Sequence, residues 1–596
     1  MIMINQRLNQ LRDLMHQHQI HAYIVPTADP HLSEYLPEHW QARQWLSGFT
    51  GSAGTLVVTA DQAALWTDSR YWEQAAHQLA NSHIILQKQG IMPEPADWLA
   101  QNLPNHSRVA VAADMLSWAT QKRFQAAFSA KNIELNTQID LLTDLWTERD
   151  ALPNAPVFAH ASECVYQNST EKLARIREFM QKKQADYHLI SSLDDIAWLT
   201  NLRGNDVPYN PVFLAYLLIS ATHAILFADA NKFSETEKNL LNQSGIELND
   251  YHQIVNELAN ISGSLLIDAN KTAVSTLVKL PNNVELIEDI NPSSLFKAQK
   301  SAEEIAHIRQ AMREDGAALC GFFAELEHDL MMGKTITEWD IGERLTAHRS
   351  KRPLYLSPSF GTIAGFGENG AQPHYAATPD SHSVLKGNGL LLIDSGAQYH
   401  NGTTDITRVM AIGTASDAEK RDFTLVLKAH IALASAVFPE NLSAAVLDAI
   451  CRVPMWQAQC DYGHGTGHGV GYCLNVHEFP ASIAYRAAAN PHNILKVGQL
   501  ISNEPAIYRS GGWGIRIENL VVCQPVSNPQ ETAFGKFLRF ETVTLCPIDT
   551  RLIIKELLTS AECDWLNTYH ADVREKLSPL VDGKARDWLI ERTQKI

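Results

Sequence analysis

Apolar residues recur at helical spacing at the start of the chain and then give way to short strand-like runs. One helical face is formed by Leu8, Leu11, Leu14 and Met15. Residues 21–26 (HAYIVP) then predict a buried strand, and residues 55–68 (TLVVTADQAALWTD) predict two strands around a turn. Helix-like and strand-like segments alternate from there to about residue 150, which indicates an α/β domain.

The same order of elements returns in the next segment. A helix is predicted over about 169–183, a strand over 186–192, and a strand–turn–strand over 215–229. Residues 57–68 align without gaps with residues 218–229, and four of the twelve positions are identical. We therefore predict two copies of one α/β domain, spanning residues 1–155 and 156–298.

A third region begins near residue 298. Ser301 and Glu304 have the spacing of a capping box, which marks a helix start. The apolar residues that follow at helical spacing are Ile305, Ile308, Met312 and Leu319. Residues 353–525 are rich in Gly, His, Asp and Glu among short strand-like runs, whereas the extension from about 541 to 596 is helical in pattern and holds no motif. We expect the chemistry of the protein to lie in this third domain, residues 299–596.

Composition excludes several classes of partner. The chain has 596 residues and a formal net charge of −17, which disfavours nucleic acid and anionic membranes. No run approaches the roughly 18 apolar residues of a membrane helix, and the polar N-terminus does not resemble a signal peptide. None of the eight cysteines falls in a CxxC pair. We expect a soluble cytoplasmic protein with reduced thiols.

Acidic residues and histidines stand at five places in the third domain. Asp394 ends the apolar run LLLID, and Asp405 follows 11 residues later. Residues 463–471 (GHGTGHGVG) suit a backbone that approaches a site closely. Glu504 precedes a proline. Arg516 and Glu518 lie two apart in a predicted strand, residues 514–522, and therefore face the same side of the sheet.

None of these residues alone indicates a function, but the five together indicate a metal site. An isolated Asp or Glu is usually a turn, cap or solvated residue, whereas four carboxylates and an imidazole in apolar or Gly-rich settings are hard to bury unless a cation binds them. Such an oxygen-rich donor set favours Mn²⁺, with Co²⁺ or Zn²⁺ as alternatives. Four negative charges are too many for one divalent ion and fit two.

The motifs DSG, TDITR, GHGTGHGVG, NEP and RIEN, in this order, resemble those of the pita-bread metallopeptidases. That family includes methionine aminopeptidase, prolidase, creatinase and aminopeptidase P. Further segments of this chain resemble the long, three-domain Xaa-Pro aminopeptidases of that family: AYIVP, SGFTGSAGT, WTDSRY, NLRGNDV, NPVF and CDWLNTYH. The resemblance implies an α/β (α+β) fold, with two creatinase-like domains before a pita-bread catalytic domain.

The resemblance also implies roles for individual residues. Asp394 binds one metal ion, Asp405 and Glu518 bridge both, and His468 and Glu504 bind the other. The substrate-binding residues are His374, His464, His477 and Arg516, and the catalytic residues are His374, His477 and Glu504. The chain departs from the family at Phe479, where glycine is usual, which affects the predicted shape of the loop after His477. Three histidines match nothing in the family and are expected at the surface: His382, His400 and His492.

The function so implied is hydrolysis of the bond between an N-terminal residue and a penultimate proline by a metal-bridging hydroxide. The implied partners are peptides with proline at position two and a second copy of the chain, as a homodimer. Three alternatives stay open. A prolidase cuts only dipeptides, and the long N-terminal region argues against it. A creatinase-type C–N hydrolase does not need this metal set. A binding module derived from this fold would have lost its ligands.

Overall fold

The computed structural model describes residues 2–487 and 490–596, and the chain forms two compact units. The first comprises Met1–His160 and Gln167–Ser293, and the second comprises Ala161–Tyr166 and Ser294–Ile596. The first unit covers most of both predicted α/β domains, whereas residues 161–166 and 294–298 of the second predicted domain fall in the second unit. The domain boundaries at residues 155 and 298 stay predictions.

Two six-stranded sheets of the first unit share one topology. The strands of the first sheet are β1 (Ala22–Pro26), β2 (Thr55–Thr59), β3 (Ala63–Thr67), β4 (Ile84–Lys88), β5 (Arg108–Val111) and β6 (Glu134–Asn136). Those of the second are β7 (Tyr187–Ile190), β8 (Tyr216–Ser220), β9 (Ala224–Phe227), β10 (Ile246–Asn249), β11 (Ser264–Ile267) and β12 (Glu285–Glu288). The spatial orders are β4-β3-β2-β1-β5-β6 and β10-β9-β8-β7-β11-β12. The internal repeat predicted from the sequence is therefore confirmed.

Helices accompany the strands of both sheets. Those of the first unit are α1 (Ile2–Gln17), α2 (Ala42–Ser47), α3 (Trp72–Gln78), α4 (Pro95–Asn102), α5 (Trp118–Phe128), α6 (Leu141–Leu145), α7 (Ser169–Lys182), α8 (Leu193–Thr200), α9 (Glu235–Gln243) and α10 (Ile254–Leu258). The predicted apolar face of α1 packs inward: Leu8, Leu11 and Met15 are buried and Leu14 is half-buried.

The helices of the second unit frame the candidate site. The short α11 (Pro292–Ala298) leads into α12 (Ala302–Met331), and five more follow: α13 (Glu338–Arg349), α14 (Asp417–Ala434), α15 (Ala444–Gln457), α16 (Ser560–Leu577) and α17 (Gly583–Arg592). The predicted capping box at the start of α12 is present, since Ser301 Oγ accepts from the Glu304 N–H and the Glu304 carboxylate accepts from the Ser301 N–H. The last two helices form the C-terminal extension.

The strands that the structure describes in the second unit form four sheets, of three, three, six and two strands. In chain order they are β13 (Tyr355–Pro358), β14 (Ile363–Phe366), β15 (Gly389–Ser395), β16 (Ala397–Tyr399), β17 (Gly402–Thr403), β18 (Ile406–Ile412), β19 (Val437–Pro439), β20 (Gly467–Gly469), β21 (Glu478–Ile483), β22 (Leu500–Asn503), β23 (Ala506–Arg509), β24 (Trp513–Arg516), β25 (Asn519–Pro525) and β26 (Phe537–Thr542). Their orders are β13-β16-β17, β14-β15-β18, β19-β26-β25-β22-β20-β21 and β23-β24.

The prediction of one continuous strand over residues 514–522 is wrong. The chain leaves β24 after Arg516 and enters β25 at Asn519, in a different sheet. At the break the Glu518 N–H donates to Thr407 O, at an N···O distance of 3.2 Å, so contact with β18 bends the chain.

The cysteines lie mostly in the interior of the fold. Six of the eight cysteines are buried, and no disulfide joins any of them in the part of the chain that the structure describes. Among the described residues, no helix combines the length and the apolar character needed to cross a membrane.

Candidate metal centre

Two neighbouring strands bring Asp394 and Asp405 to one end of a sheet. β15 and β18 pair antiparallel, with Asp394 opposite Thr407, and Asp405 directly precedes β18. Both aspartates are buried. The two carboxylates thus come together as the 11-residue spacing predicts, although the connection contains the short strands β16 and β17 of another sheet and not a turn alone.

Three of the five predicted ligands converge directly. The ligand atoms of Asp405, His468 and Glu518 all lie within 4.8 Å of one another. Glu504 joins them, because His468 Nε2 lies 3.5 Å from Glu504 Oε1 and 3.5 Å from Asp405 Oδ2. Asp394 belongs to the same cluster, since its charge and that of Asp405 act on each other.

The tautomer of His468 suits a ligand. Its Nδ1–H donates to Gly469 O at 2.9 Å, so Nε2 is the ring nitrogen that faces the carboxylates. A hydrogen bond from the other ring nitrogen is the usual way in which a protein orients a metal-binding imidazole.

Thr407 and Arg516 hold the carboxylates from behind. Thr407 Oγ1 donates to Glu518 Oε2 at 2.8 Å and accepts from Arg516 Nε at 3.0 Å. Arg516 Nη2 donates to Asp394 Oδ2 at 2.6 Å. Arg516 and Glu518 therefore meet at Thr407, although they do not share one strand as predicted.

The raised pKa values of several residues in the cluster indicate an excess of negative charge that a cation would neutralise. Burial and the neighbouring Asp405 raise the pKa of Asp394 to about 7, against the opposing effect of Arg516. Burial and the charges of Asp405, Glu504 and Asp394 raise the pKa of Glu518 well above its usual value. Burial disfavours a charged His468, but its hydrogen bond to Asp405 and the charges of Glu504 and Asp405 outweigh this and raise its pKa to about 9.

Two carboxylate oxygens without hydrogen-bond donors show whether the cluster suits metal ions. Asp394 Oδ1 and Asp405 Oδ1 are buried and accept no hydrogen bond among the described residues. Buried carboxylate oxygens without donors are costly unless a cation satisfies them. The donor set, with four carboxylates and one imidazole, fits divalent cations of the kind that prefer oxygen ligands.

The three predicted substrate histidines border this cluster. The rings of His477 and His468 meet edge to face, with centroids 4.4 Å apart. His464 donates from Nδ1 to Gly465 O at 2.7 Å and accepts at Nε2 from Tyr508 at 2.9 Å, and burial lowers its pKa to about 4. His374 follows Pro373, whose carbonyl accepts from Arg516 Nη2 at 3.5 Å.

The residue that departs from the family pattern points outward. Phe479 lies in β21 between the buried Glu478 and Pro480, and its own side chain is 42% exposed. The strand alternation therefore places its ring in solvent, and the position does not require glycine.

Two of the three histidines expected at the surface are half-buried. His382 is exposed as predicted, whereas His400 and His492 are not. The His400 N–H donates to Leu354 O, which ties His400 to a segment distant in sequence, whereas His492 O accepts from the Ile494 N–H within a local turn. The prediction was wrong for His400 and His492. How far a turn residue is covered depends on the segments packed against it, and the local sequence of a turn does not show these segments.

Sequence reasoning missed two polar residues of the centre. Thr407 lies within the TDITR motif but was not singled out. Tyr508 bonds to both His464 Nε2 and Arg516 Nη1, and so links the histidine side to the carboxylate side. Its position in a strand after Glu504, with alternate residues facing the site, was the available signal.

Comparisons with known proteins agree with this arrangement. Residues 306–525 match the family described as metallopeptidase family M24, and residues 536–596 match its C-terminal region. Residues 7–142 and 148–304 match two families described as creatinase/prolidase N-terminal domains.

Similar proteins match over nearly the whole chain. A protein of Laccaria bicolor named probable Xaa-Pro aminopeptidase P is 39% identical over 98% of this chain and 92% of its own. The crystal structure of an X-prolyl aminopeptidase from Caenorhabditis elegans, described as a cytosolic enzyme with a di-nuclear active site, aligns over 100% of both chains at 31% identity with a TM-score of 0.94. An Xaa-Pro dipeptidase from Bacillus anthracis aligns over 64% of this chain at 24% identity and a TM-score of 0.50, which shows a shared fold.

Proposed function

This chain belongs to the metallopeptidase family M24, and we propose that it is an Xaa-Pro aminopeptidase, which releases an N-terminal residue that precedes proline. The observation that carries the proposal is the convergence of Asp405, His468 and Glu518 within 4.8 Å, beside buried carboxylate oxygens that lack donors. Full-length similarity to proteins named Xaa-Pro aminopeptidase supports the substrate class.

The five converging residues would hold two divalent ions. We assign Asp394 to one ion, Asp405 and Glu518 to both, and His468 and Glu504 to the other. The oxygen-rich donor set favours Mn²⁺. When bound, two such ions lower the pKa of a water molecule between them and supply hydroxide near neutral pH.

Glu504 is the proton carrier in this proposal. Burial disfavours its charged form, but the positive charges of His468 and Arg516 outweigh this and lower its pKa, so the carboxylate is ionised and can accept a proton. Ser502 Oγ donates to Oε1 at 3.1 Å and orients the carboxylate. Glu504 takes the proton of the attacking water and later delivers one to the leaving nitrogen of proline.

The histidines act on the peptide. His477 donates to the scissile carbonyl oxygen as that oxygen becomes negative, which stabilises the transition state more than the substrate. His374 and His464 hold the proline side of the peptide. Because the bond before proline has no N–H, this side needs apolar surface rather than an acceptor, and the neutral, half-buried His464 ring provides part of it.

We further propose a cytoplasmic homodimer. A candidate interface is the outward face of α15, where four apolar residues recur at helical spacing with 37–52% of each exposed: Val446, Ile450, Val453 and Trp456. A two-fold dimer buries the same patch of both subunits, and an apolar helical face is suited to such self-association. The cytosolic relative from Caenorhabditis elegans supports the location.

Substrate length tests the proposed activity against the prolidase alternative. The metal-loaded protein is offered the tripeptide Arg-Pro-Pro and the dipeptide Arg-Pro, and free arginine is measured. We expect release of arginine from the tripeptide, and from longer peptides that begin with Arg-Pro. Hydrolysis of the dipeptide alone would replace this proposal with a dipeptidase, and hydrolysis of creatine would replace it with a creatinase.

A further inference from the structure

A buried lysine connects the two chain segments that carry His468 and His477. Lys300 directly precedes the N-cap of α12, and its Nζ donates to Val470 O at 2.7 Å and to the carboxylate of Glu478. Val470 lies two residues beyond His468, and Glu478 directly follows His477. The ammonium group is therefore bonded to both segments at once.

The two segments approach each other closely at this point. Gly469 of β20 pairs with Glu478 of β21, and the register shifts between His468 and Gly469. A Cβ on Gly469 would lie 2.3 Å from Glu478 O, so no side chain separates the strands. Since the imidazole rings of His468 and His477 meet edge to face one residue away, a slip of this pair moves one ring relative to the other.

The charges around Glu478 are fully enclosed. The side chains of Lys300 and Glu478 are 1% and 2% exposed, and Lys297 Nζ lies 4.0 Å from Glu478 Oε2. Burial lowers the pKa of Lys300, and the charge and hydrogen bond of Glu478 oppose this. Removing these charges from water costs free energy, and their mutual attraction offsets that cost only when the groups are well aligned. Such a cluster therefore favours one arrangement of the chain more than it adds to the stability of the fold.

We infer that Lys300 and Glu478 are positioning residues that set the place of His477 relative to His468. Neither residue needs to touch substrate or metal: the ammonium fixes Glu478 against Val470, and Glu478 fixes the adjoining His477. The inference rests on the proposed role of His477 at the scissile carbonyl. Misplacement of a catalytic group by about 1 Å can cost about 10²-fold in rate.

Lys300→Met tests the inference, because it removes the ammonium and keeps a long apolar side chain. We expect kcat for Arg-Pro-Pro to fall about 10–100-fold, with two ions still bound and KM nearly unchanged. The matched control is Lys232→Met in the first unit, where a buried lysine pairs with Asp206 at 2.6 Å. The control variant loses a comparable buried ion pair but keeps its kcat. Wild-type kcat in Lys300→Met overturns the inference.

A second variant covers the case in which Lys300→Met does not fold. Glu478→Gln keeps the shape of the side chain and an acceptor for Lys300 but removes the negative charge. We expect a smaller fall in kcat in the same direction. Folded Glu478→Gln protein with wild-type kcat overturns the inference.

The decisive step combines each variant with His477→Ala. If Lys300 acts through His477, the single variant His477→Ala and the double variant have the same kcat within about twofold. A further fall in the double variant, as large as that in the wild-type background, overturns the inference and leaves the proposed function intact. Full activity of His477→Ala itself would instead refute the role of His477 and, with it, this positioning.

Discussion

The hydroxyl group of Thr407 offers a sharp test of how the metal centre is held. It donates to Glu518 Oε2 at 2.8 Å and accepts from Arg516 Nε at 3.0 Å, while the rest of the side chain is buried. Thr407→Val removes only this hydroxyl and nearly preserves shape. Glu518 loses one donor, and the Arg516 Nε–H is left buried without its acceptor.

The expected loss follows from the charges of both partners. A hydrogen bond to a charged group contributes about 1.5–3 kcal/mol. At about 1.4 kcal/mol per factor of ten, the loss of the bond to Glu518 weakens metal binding by about 10–100-fold. This agrees with the usual effect of removing a group that orients a metal ligand, which is also about 10–100-fold.

Calorimetric titration of the metal-stripped variant with Mn²⁺ measures the effect. The matched control is Thr200→Val, whose buried hydroxyl donates to Ile196 O within α8, far from the centre in sequence and in the other unit. The control variant should keep the metal affinity of the wild type. Unchanged affinity in folded Thr407→Val would refute the view that Thr407 orients Glu518 for metal binding.

Three further predictions concern the ions, the oxyanion and the dimer. Asp405→Asn and Glu518→Gln should each lose metal together with turnover, since each carboxylate serves both ions; elemental analysis that finds two ions and normal kcat contradicts the bridging roles. His477→Ala should keep both ions and its melting temperature but lose about 10²–10³ in kcat, and metal loss would make His477 a ligand instead. Ile450→Glu places a charge in the apolar face of α15 and should give a monomer in sedimentation, whereas an unchanged dimer would exclude this face as the interface.

The parts of the site that depend on local pattern could be predicted from the sequence. Asp394 lies near the end of an apolar strand, and the short distance to Asp405 along the chain favours a return of the chain to the neighbouring strand, although the short strands β16 and β17 between them could not be predicted. The internal repeat could also be predicted, because the two domains show the same order of helix-like and strand-like segments and this order can be compared without knowledge of long-range contacts. These features are set by interactions between residues close in sequence.

The parts that depend on distant contacts could not be predicted. Residues 514–522 alternate like one strand, but Glu518 bonds to Thr407, 111 residues away, and the chain bends there. Lys300 follows the mixed polar and apolar helix α11, and nothing near it indicates that its ammonium is buried against Glu478, 178 residues away. Whether a charged side chain can be buried depends on the oppositely charged residue that pairs with it, and a residue distant in sequence does not appear in the local pattern.

The most direct test of the account is a titration of metal-stripped protein with Mn²⁺, followed by release of free arginine from Arg-Pro-Pro. The account predicts no turnover without metal and activity that reaches its plateau at two ions per chain. Full turnover after exhaustive removal of metal would contradict it.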